Sequence, residues 1–346
     1  MSRIDSQPAR LARLGFADAT AAAAVVDAWR ERGTGEQVEL ALAELQRAAD
    51  PDLALVGLNR LASARPGVFA ELGADPGFAR RLIAVLGASI ALNQHLGTHP
   101  DDVDALVGEV RRRPLADLRA ELLFAVGADP GAAAPVAEPA RSDDLRRAYR
   151  RALLRIAARD LTAADVMAEL PDVAAELADL ADATVDTALA LARGEVPGWE
   201  NCRIGIVALG KTGARELNYV SDVDVLYLAE PALDAAGEPV CEAGEAVTVA
   251  TRLAGALSRV CSAHTGAGTI WQIDAALRPE GKAGPLVRTL ASHRAYYEKW
   301  AKNWEFQAML KARPMAGDLA LAGEFVDMVW PMVWRVADND EFVGEV

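Results

Sequence analysis

Apolar and polar positions along the chain follow two textures, a helical one and a strand one. As far as about residue 126, alanine and leucine recur at helical spacing. The runs are short and are cut at Pro51, Pro66, Pro76 and Pro100, which predicts a string of short helices. The stretch GADPGAAAPVAEPA, Gly127 to Ala140, is rich in Pro, Gly and Ala and predicts a flexible connector over about 127–141. A helix follows with Ser142 as its N-cap. Leu145, Ala148, Tyr149, Ala152, Leu153, Ile156 and Ala157 repeat at three- and four-residue steps and share one face. Arg146, Arg147, Arg150, Arg151 and Arg155 lie mostly on the other face, as a solvated surface or as a seat for an acidic partner. Another helix is expected from about Asp172 to Arg193, ended by Gly194 and Pro197.

At Asn201 the texture changes. RIGIVAL (Arg203 to Leu209), DVDVLYL (Asp222 to Leu228), TIWQI (Thr269 to Ile273) and Pro285 to Leu290 read as strands. Between the second and third, Glu242 to Cys261 carries Ala246, Val249, Ala250, Leu253, Leu257 and Val260 in helical register. From Ser292 the chain reads as helix again, with aromatics at Trp300, Trp304 and Phe306. The expected fold class is therefore α+β, a mostly helical chain with one small mixed sheet. The expected division is a helical region 1–195, an α/β domain 196–290 and a helical region 291–346.

Composition narrows the function. Of 346 residues, 52% are hydrophobic and only 5% aromatic, and the alanine and leucine excess favours helix. A chain of this length buries enough core to need no covalent staple. The net charge of −14 speaks against a nucleic-acid surface, which needs excess Lys and Arg. A local basic pocket for a nucleotide is still compatible with it. The cysteines, Cys202, Cys241 and Cys261, are odd in number and form no CxxC, which fits a reducing cytoplasm better than a disulfide or zinc scaffold. MSRIDSQPARLARLGF holds no apolar run of signal-peptide length, and no long uncharged run predicts a membrane span.

Three features carry candidate chemistry. Leu209-Gly210-Lys211-Thr212-Gly213 is a glycine turn directly after a strand, where backbone N–H groups can approach a phosphate. Gly205 to Thr212 also satisfies the phosphate-loop pattern GxxxxGK[ST]. The residues between its glycines continue an apolar strand, however, and cannot form a cradle. The second feature is Ser221-Asp222-Val223-Asp224. On a strand Asp222 and Asp224 point to one side, and two carboxylates in apolar surroundings repel unless a divalent cation joins them. A pair of exposed acids on an edge strand is the plainer alternative. The third is Asp274, a carboxylate on a neighbouring strand after a strand–helix–strand excursion. Alone it would read as a strand-terminal cap; with the other two it matches a two-metal site of phosphoryl or nucleotidyl transfer.

A glycine turn, an Asp-x-Asp strand and a third Asp on a later strand resemble the nucleotidyltransferase fold related to DNA polymerase β. LGKTGARELNYVSDVDVLYL, IDAALRPEGKAGPLVRTL and WAKNWEFQAMLKARPMAGD are similar to the bifunctional glutamine synthetase adenylyltransferase/adenylyl-removing enzymes. RLARLGF, LRRAYRRALLRIAARDLT and LADLADATVDTALALA are similar more softly. That family carries two nucleotidyltransferase modules in tandem. A single module after a long helical leader resembles the N-terminal, adenylyl-removing half, and the chain is expected to be a fragment of the longer enzyme.

The resemblance implies phosphorolysis of adenylyl-tyrosine on glutamine synthetase, giving ADP and active synthetase. It implies two Mg²⁺ ions on Asp222, Asp224 and Asp274, and nucleotide phosphates held by Gly210, Lys211 and Ser221. Arg278, Lys311 and Arg313 become candidates for the attacking phosphate, each equally readable as a surface charge. The implied partners are glutamine synthetase, phosphate, ADP or ATP, and a PII signal protein, with no nucleic acid and no membrane. ATP-dependent adenylylation of the same tyrosine, or a non-catalytic module binding glutamine synthetase or PII, are the alternatives. Two positions depart from the pattern: Lys211 stands where the generic fold often has Ser, and Ala276 where relatives often carry Arg. Glu305 reads as either a support of the site or a helix-packing residue, and His264 and His293 as structural or solvated.

Overall fold

A computed structural model describes residues 6–31 and 33–337. The chain divides into two compact units, residues 1–112 with 150–173, and residues 113–149 with 174–346. These are cut differently from the division expected at 195 and 290, because the later part of the Val166–Glu195 helix belongs with the sheet.

In the first unit the proline punctuation is used as helix starts. Pro51, Pro76 and Pro100 each occupy the opening turn of a helix, where a missing N–H costs nothing. Asp18, Thr34, Asp50, Asp75 and Ser89 cap helices with their side chains, and Thr34 forms a reciprocal box with Gln37. The interior is built on Trp29, Leu58, Leu61, Phe69, Phe78 and Leu82, with the Trp29 and Phe69 rings 5.3 Å apart. Trp29 Nε1 donates to Asn59 Oδ1 at 3.0 Å, which satisfies the one polar atom of that buried ring.

The second unit holds a five-stranded mixed sheet: β1 (Cys202–Ala208), β2 (Val223–Pro231), β3 (Ile273–Asp274), β4 (Val287–Arg288) and β5 (Arg313–Gly317). β1 lies antiparallel between β2 and β5, while β3 and β4 pair in parallel with successive stretches of β2. Val207, Leu209, Leu226 and Leu228 pack on one side against Tyr297, Phe306, Met309, Phe325 and Val329. The amphipathic Ala243–Ser262 helix packs against β1 and β2. Strands covered on both faces read as continuous apolar runs, which is why RIGIVAL and VLYL do not alternate.

Several local expectations need correction. TIWQI is not a five-residue strand. Only Ile273 and Asp274 pair with β2, while Ile270 and Trp271 turn inward, Trp271 meeting Tyr149 edge-on at 4.9 Å. Pro285 to Leu290 contributes only Val287 and Arg288. The region after 291 is not wholly helical, because β5 interrupts it. β5 is an edge strand containing Pro314, with a bulge at Ile206/Val207 opposite, so it shows no alternation along the sequence. Residues 338–346 of that region lie outside the described residues. Arg146 is not solvated: it is 2% exposed and donates to Val260 O at 2.7 Å and Ala263 O at 3.4 Å, closing the carbonyl end of the Ala243–Ser262 helix. The 127–141 stretch has no long regular element, but Ala137 N–H donates to Ala190 O at 2.9 Å. Gly194 permits that approach, since a Cβ there would lie 2.0 Å from Ala137 O. Among the described residues no helix is long and apolar enough to cross a membrane.

Candidate active site

The end of β1 is fastened to β2 by Leu209 N–H donating to Asp224 O at 2.9 Å. The next residue, Gly210, has φ +53°, a left-handed conformation that suits glycine. A Cβ at Gly210 would sit 2.4 Å from Asp224 Oδ2, so the turn lies directly against the carboxylate. Gly213 is equally constrained, because its Cβ would meet Lys311 O at 2.1 Å. The short helix Gly210–Ala214 then ends at Arg215 (φ 59°), whose Nη2 donates to Asp179 Oδ2 at 2.7 Å.

Parallel pairing of β2 with β3 sets Asp274 opposite Asp224 in register. Asp222 stands immediately before β2, two residues ahead of Asp224, so the strand expected from Asp222 begins one residue later, at Val223. One carboxylate oxygen from each of Asp222, Asp224 and Asp274 lies within 4.8 Å of the others. Asp222 is exposed, and the other two are half-buried. Asp274 Oδ1 accepts from Ala276 N–H at 2.7 Å, which fixes the orientation of that carboxylate. Burial first, then the charges of Asp222 and Asp274, hold the Asp224 carboxyl above the usual carboxylate range, and Lys211 opposes them. Three hard oxygen donors sharing uncompensated negative charge fit a divalent cation of the Mg²⁺ kind.

The other residues singled out from the sequence fall in distinct places. Lys211 is exposed, with its charge felt at Asp224. Ser221 presents a buried hydroxyl that has no hydrogen-bond partner among the described residues. Arg278 folds back on its own loop, donating to Gly284 O at 3.2 Å and Ala275 O at 2.8 Å, and so braces the chain just after Asp274. Lys311 pairs with Glu216 at 2.6 Å on the surface. Arg313 pairs with buried Asp182 through Nη1 and Nη2, the latter at 3.0 Å, and also donates to Thr212 O at 3.0 Å. The three aspartates, Gly210 and Lys211 are thus brought together, whereas Arg278, Lys311 and Arg313 are each engaged by the protein itself. Glu305 is buried, accepting from Tyr296 OH at 2.9 Å and Lys302 N–H at 2.8 Å, a packing and capping role. His293 is buried against Phe325, and burial pulls its imidazole down to about 4, so it is neutral. His264 is exposed, 3.1 Å from Thr269 Oγ1.

Sequence reasoning missed the acids behind the turn. Asp179, Asp182 and Asp186 repeat at helical spacing on the buried face of the Val166–Glu195 helix. Asp179 holds Arg215, Asp182 holds Arg313, and Asp186 accepts from Gly317 N–H at 3.3 Å and pairs with Arg119. The turn and β5 are therefore anchored to this helix from beneath. The signal was present in LADLADATVDTALALA as acids set into an otherwise apolar helix face.

A family model described as glutamate-ammonia ligase adenylyltransferase matches residues 79–328. Among curated proteins, a bifunctional glutamine synthetase adenylyltransferase/adenylyl-removing enzyme of Cutibacterium acnes is 50% identical over 351 residues, covering 100% of this chain and 35% of that protein. The enzyme of the same description from Streptomyces avermitilis is 46% identical, over 99% of this chain and 33% of its own length. That from Mycolicibacterium smegmatis is 41% identical, over 90% of this chain and 30% of its own. The chain thus spans about a third of the length of the curated relatives it matches.

Proposed function

The chain belongs to the glutamate-ammonia ligase adenylyltransferase family, and on that premise we propose that its three-carboxylate site removes adenylyl groups from a tyrosine of glutamine synthetase by phosphorolysis. An oxygen of inorganic phosphate attacks the α-phosphorus, and the bond from that phosphorus to the tyrosyl oxygen breaks. The products are ADP and a phenolate, which takes up a proton. The observation that carries the reading is the convergence of Asp222, Asp224 and Asp274 within 4.8 Å beside the Gly210 turn.

Phosphate is already an anion, so the reaction needs no strong base; the obstacle is bringing one anion onto another. Divalent cations, two Mg²⁺ held by Asp222, Asp224 and Asp274, supply neutralisation of the phosphates and of the leaving phenolate when bound. The backbone at Gly210, the Lys211 ammonium and the Ser221 hydroxyl orient the nucleotide phosphates. Arg278 and Arg313 serve by bracing, the one behind Asp274 and the other beneath Thr212. Support for the phosphorolytic direction comes from the resemblance of a module preceded by a long helical leader to the first of the two tandem modules. The reading carries with it a cytoplasmic site of action, glutamine synthetase as protein substrate and a PII-type signal protein as regulator.

The same carboxylates would serve ATP-dependent adenylylation, an activity that the descriptions of the relatives also contain. Incubation with adenylylated glutamine synthetase, phosphate and Mg²⁺ separates the two, since ADP release supports phosphorolysis and pyrophosphate release from ATP supports the reverse chemistry. Asp222→Asn should abolish turnover with the fold and partner binding intact. Turnover that persists in this variant would sink the metal assignment.

A further inference from the structure

The opposite end of β1 borders a cavity of about 370 Å³ that phosphorolysis does not use. Arg193, Trp199, Arg203, Leu253 and Asp318 stand in its wall. From Arg203 to Leu209 the strand advances about 20 Å, at roughly 3.3 Å per residue, so the cavity is well separated from the carboxylate cluster. Ala133 and Leu319 in the same wall are exposed, so the cavity opens to solvent.

Its unusual feature is a buried cation. Arg193 is 8% exposed and makes one hydrogen bond among the described residues, from Nη1 to Pro135 O at 3.0 Å. Its Nε and Nη2 have no such bond, and no carboxylate forms an ion pair with it among the described residues. Asp186, the acid it feels most, is held by Arg119 at 2.6 Å. Burial pushes the neighbouring Cys202 thiol up to about 11, so it supplies no countercharge. Arg203 and Asp318 neutralise each other at 2.6 Å. Trp199 covers the guanidinium, with its ring centroid 5.5 Å from Cζ. Nε and Nη2 are not among the buried atoms left without a partner, so this free edge reaches the solvent-open cavity, and it matches the two oxygens of a carboxylate.

We propose that this cavity binds a small organic carboxylate, held as a bidentate pair by Nε and Nη2 of Arg193. One net positive charge in the wall selects a monoanion. The volume, at the small end of ligand pockets, admits a body of a few carbons beside Leu253. Inorganic phosphate has no apolar body to fill that side.

Calorimetric titration of the full chain with propionate and with benzoate, at constant ionic strength in chloride, tests this. At least one should bind saturably at a single site. Arg193→Gln should weaken it by at least about tenfold. Ala133→Trp, placed at an exposed wall position, should obstruct binding while leaving the melting temperature unchanged, which covers the case in which Arg193→Gln does not fold. Binding should persist in Asp222→Asn, so failure here and failure of the phosphorolytic reading are distinguishable. The proposal is overturned if neither carboxylate binds saturably, if either cavity variant binds as wild type, or if phosphate competes with the carboxylate at equal concentration.

Discussion

Gly210→Ala is the sharpest perturbation of the site. The new Cβ would lie 2.4 Å from Asp224 Oδ2, where ordinary contact begins at 3.4 Å, so the carboxylate must retreat by about 1 Å. The backbone of Asp224 cannot follow, because its carbonyl is bonded to Leu209 N–H at 2.9 Å and its strand is paired on both sides. The side chain must therefore swing away from the Gly210 turn, which changes its position relative to Asp222 and Asp274. A misplacement of about 1 Å costs on the order of 10²-fold in rate, and a non-glycine residue at φ +53° adds about 1–2 kcal/mol of strain. Gly237→Ala is the control: it has φ +85° but nothing within 4 Å, so it carries the strain without the clash. Release of ADP from adenylylated glutamine synthetase and calorimetric Mg²⁺ affinity would be measured on both variants. The expected result is a roughly 100-fold loss of kcat and weakened Mg²⁺ binding for Gly210→Ala, with Gly237→Ala like wild type in both. Turnover within about twofold of wild type and unchanged Mg²⁺ affinity in Gly210→Ala would refute the placement of Asp224 in the site.

Further outcomes follow from the same contacts. Mg²⁺ should raise the melting temperature of wild type; Asp224→Asn removes one of three crowded like charges, so it should raise the melting temperature without metal and abolish that response, both read by calorimetry. Burial lifts the Asp182 carboxyl from 3.8 to about 6 despite Arg313. A folded-state value above the unfolded one means that this group's stabilising contribution is present at low pH and lost as pH rises through about 6. Raising pH from about 5 to about 7 should therefore lower the melting temperature of wild type relative to Asp182→Asn, and the opposite slope would mean that the ion pair outweighs burial. Arg146→Met leaves Val260 O and Ala263 O without their donor and should cost about 2–3 kcal/mol in urea unfolding. Arg278→Ala should lower kcat more than it raises KM for phosphate, because the side chain braces the loop after Asp274; a pure KM effect would instead make it a phosphate ligand.

Much of the arrangement was legible because it is local. Pro51 and Pro76 start helices by rules that act within a turn of chain, whereas Ser142, expected as an N-cap, is itself the first helical residue, with φ -61° and ψ -29°. The i, i+2 spacing of Asp222 and Asp224 is likewise local, although Asp222 itself stands just before β2. Arg146 misled because periodicity reports which residues are apolar, not which surfaces meet. Its helix is buried on more than one side, and the arginine is accommodated because it caps the carbonyl end of a helix more than a hundred positions later. β5 misled for a related reason, since Arg313 to Gly317 becomes a strand only by pairing with β1.

The sequence by itself determined most of the helical segments, the two-residue spacing that sets Asp222 beside Asp224, and which family the motifs resemble. Those properties depend on backbone periods of 3.6 and 2 and on short spacings. Only the tertiary structure decided that Asp274 stands in register with Asp224, that Gly210 lies against its carboxylate, and that Asp182 occupies Arg313. Each is a contact between positions about 14 to 131 residues apart in the chain. Such contacts are fixed by strand pairing and by the need of buried charges for partners, and no local pattern encodes them.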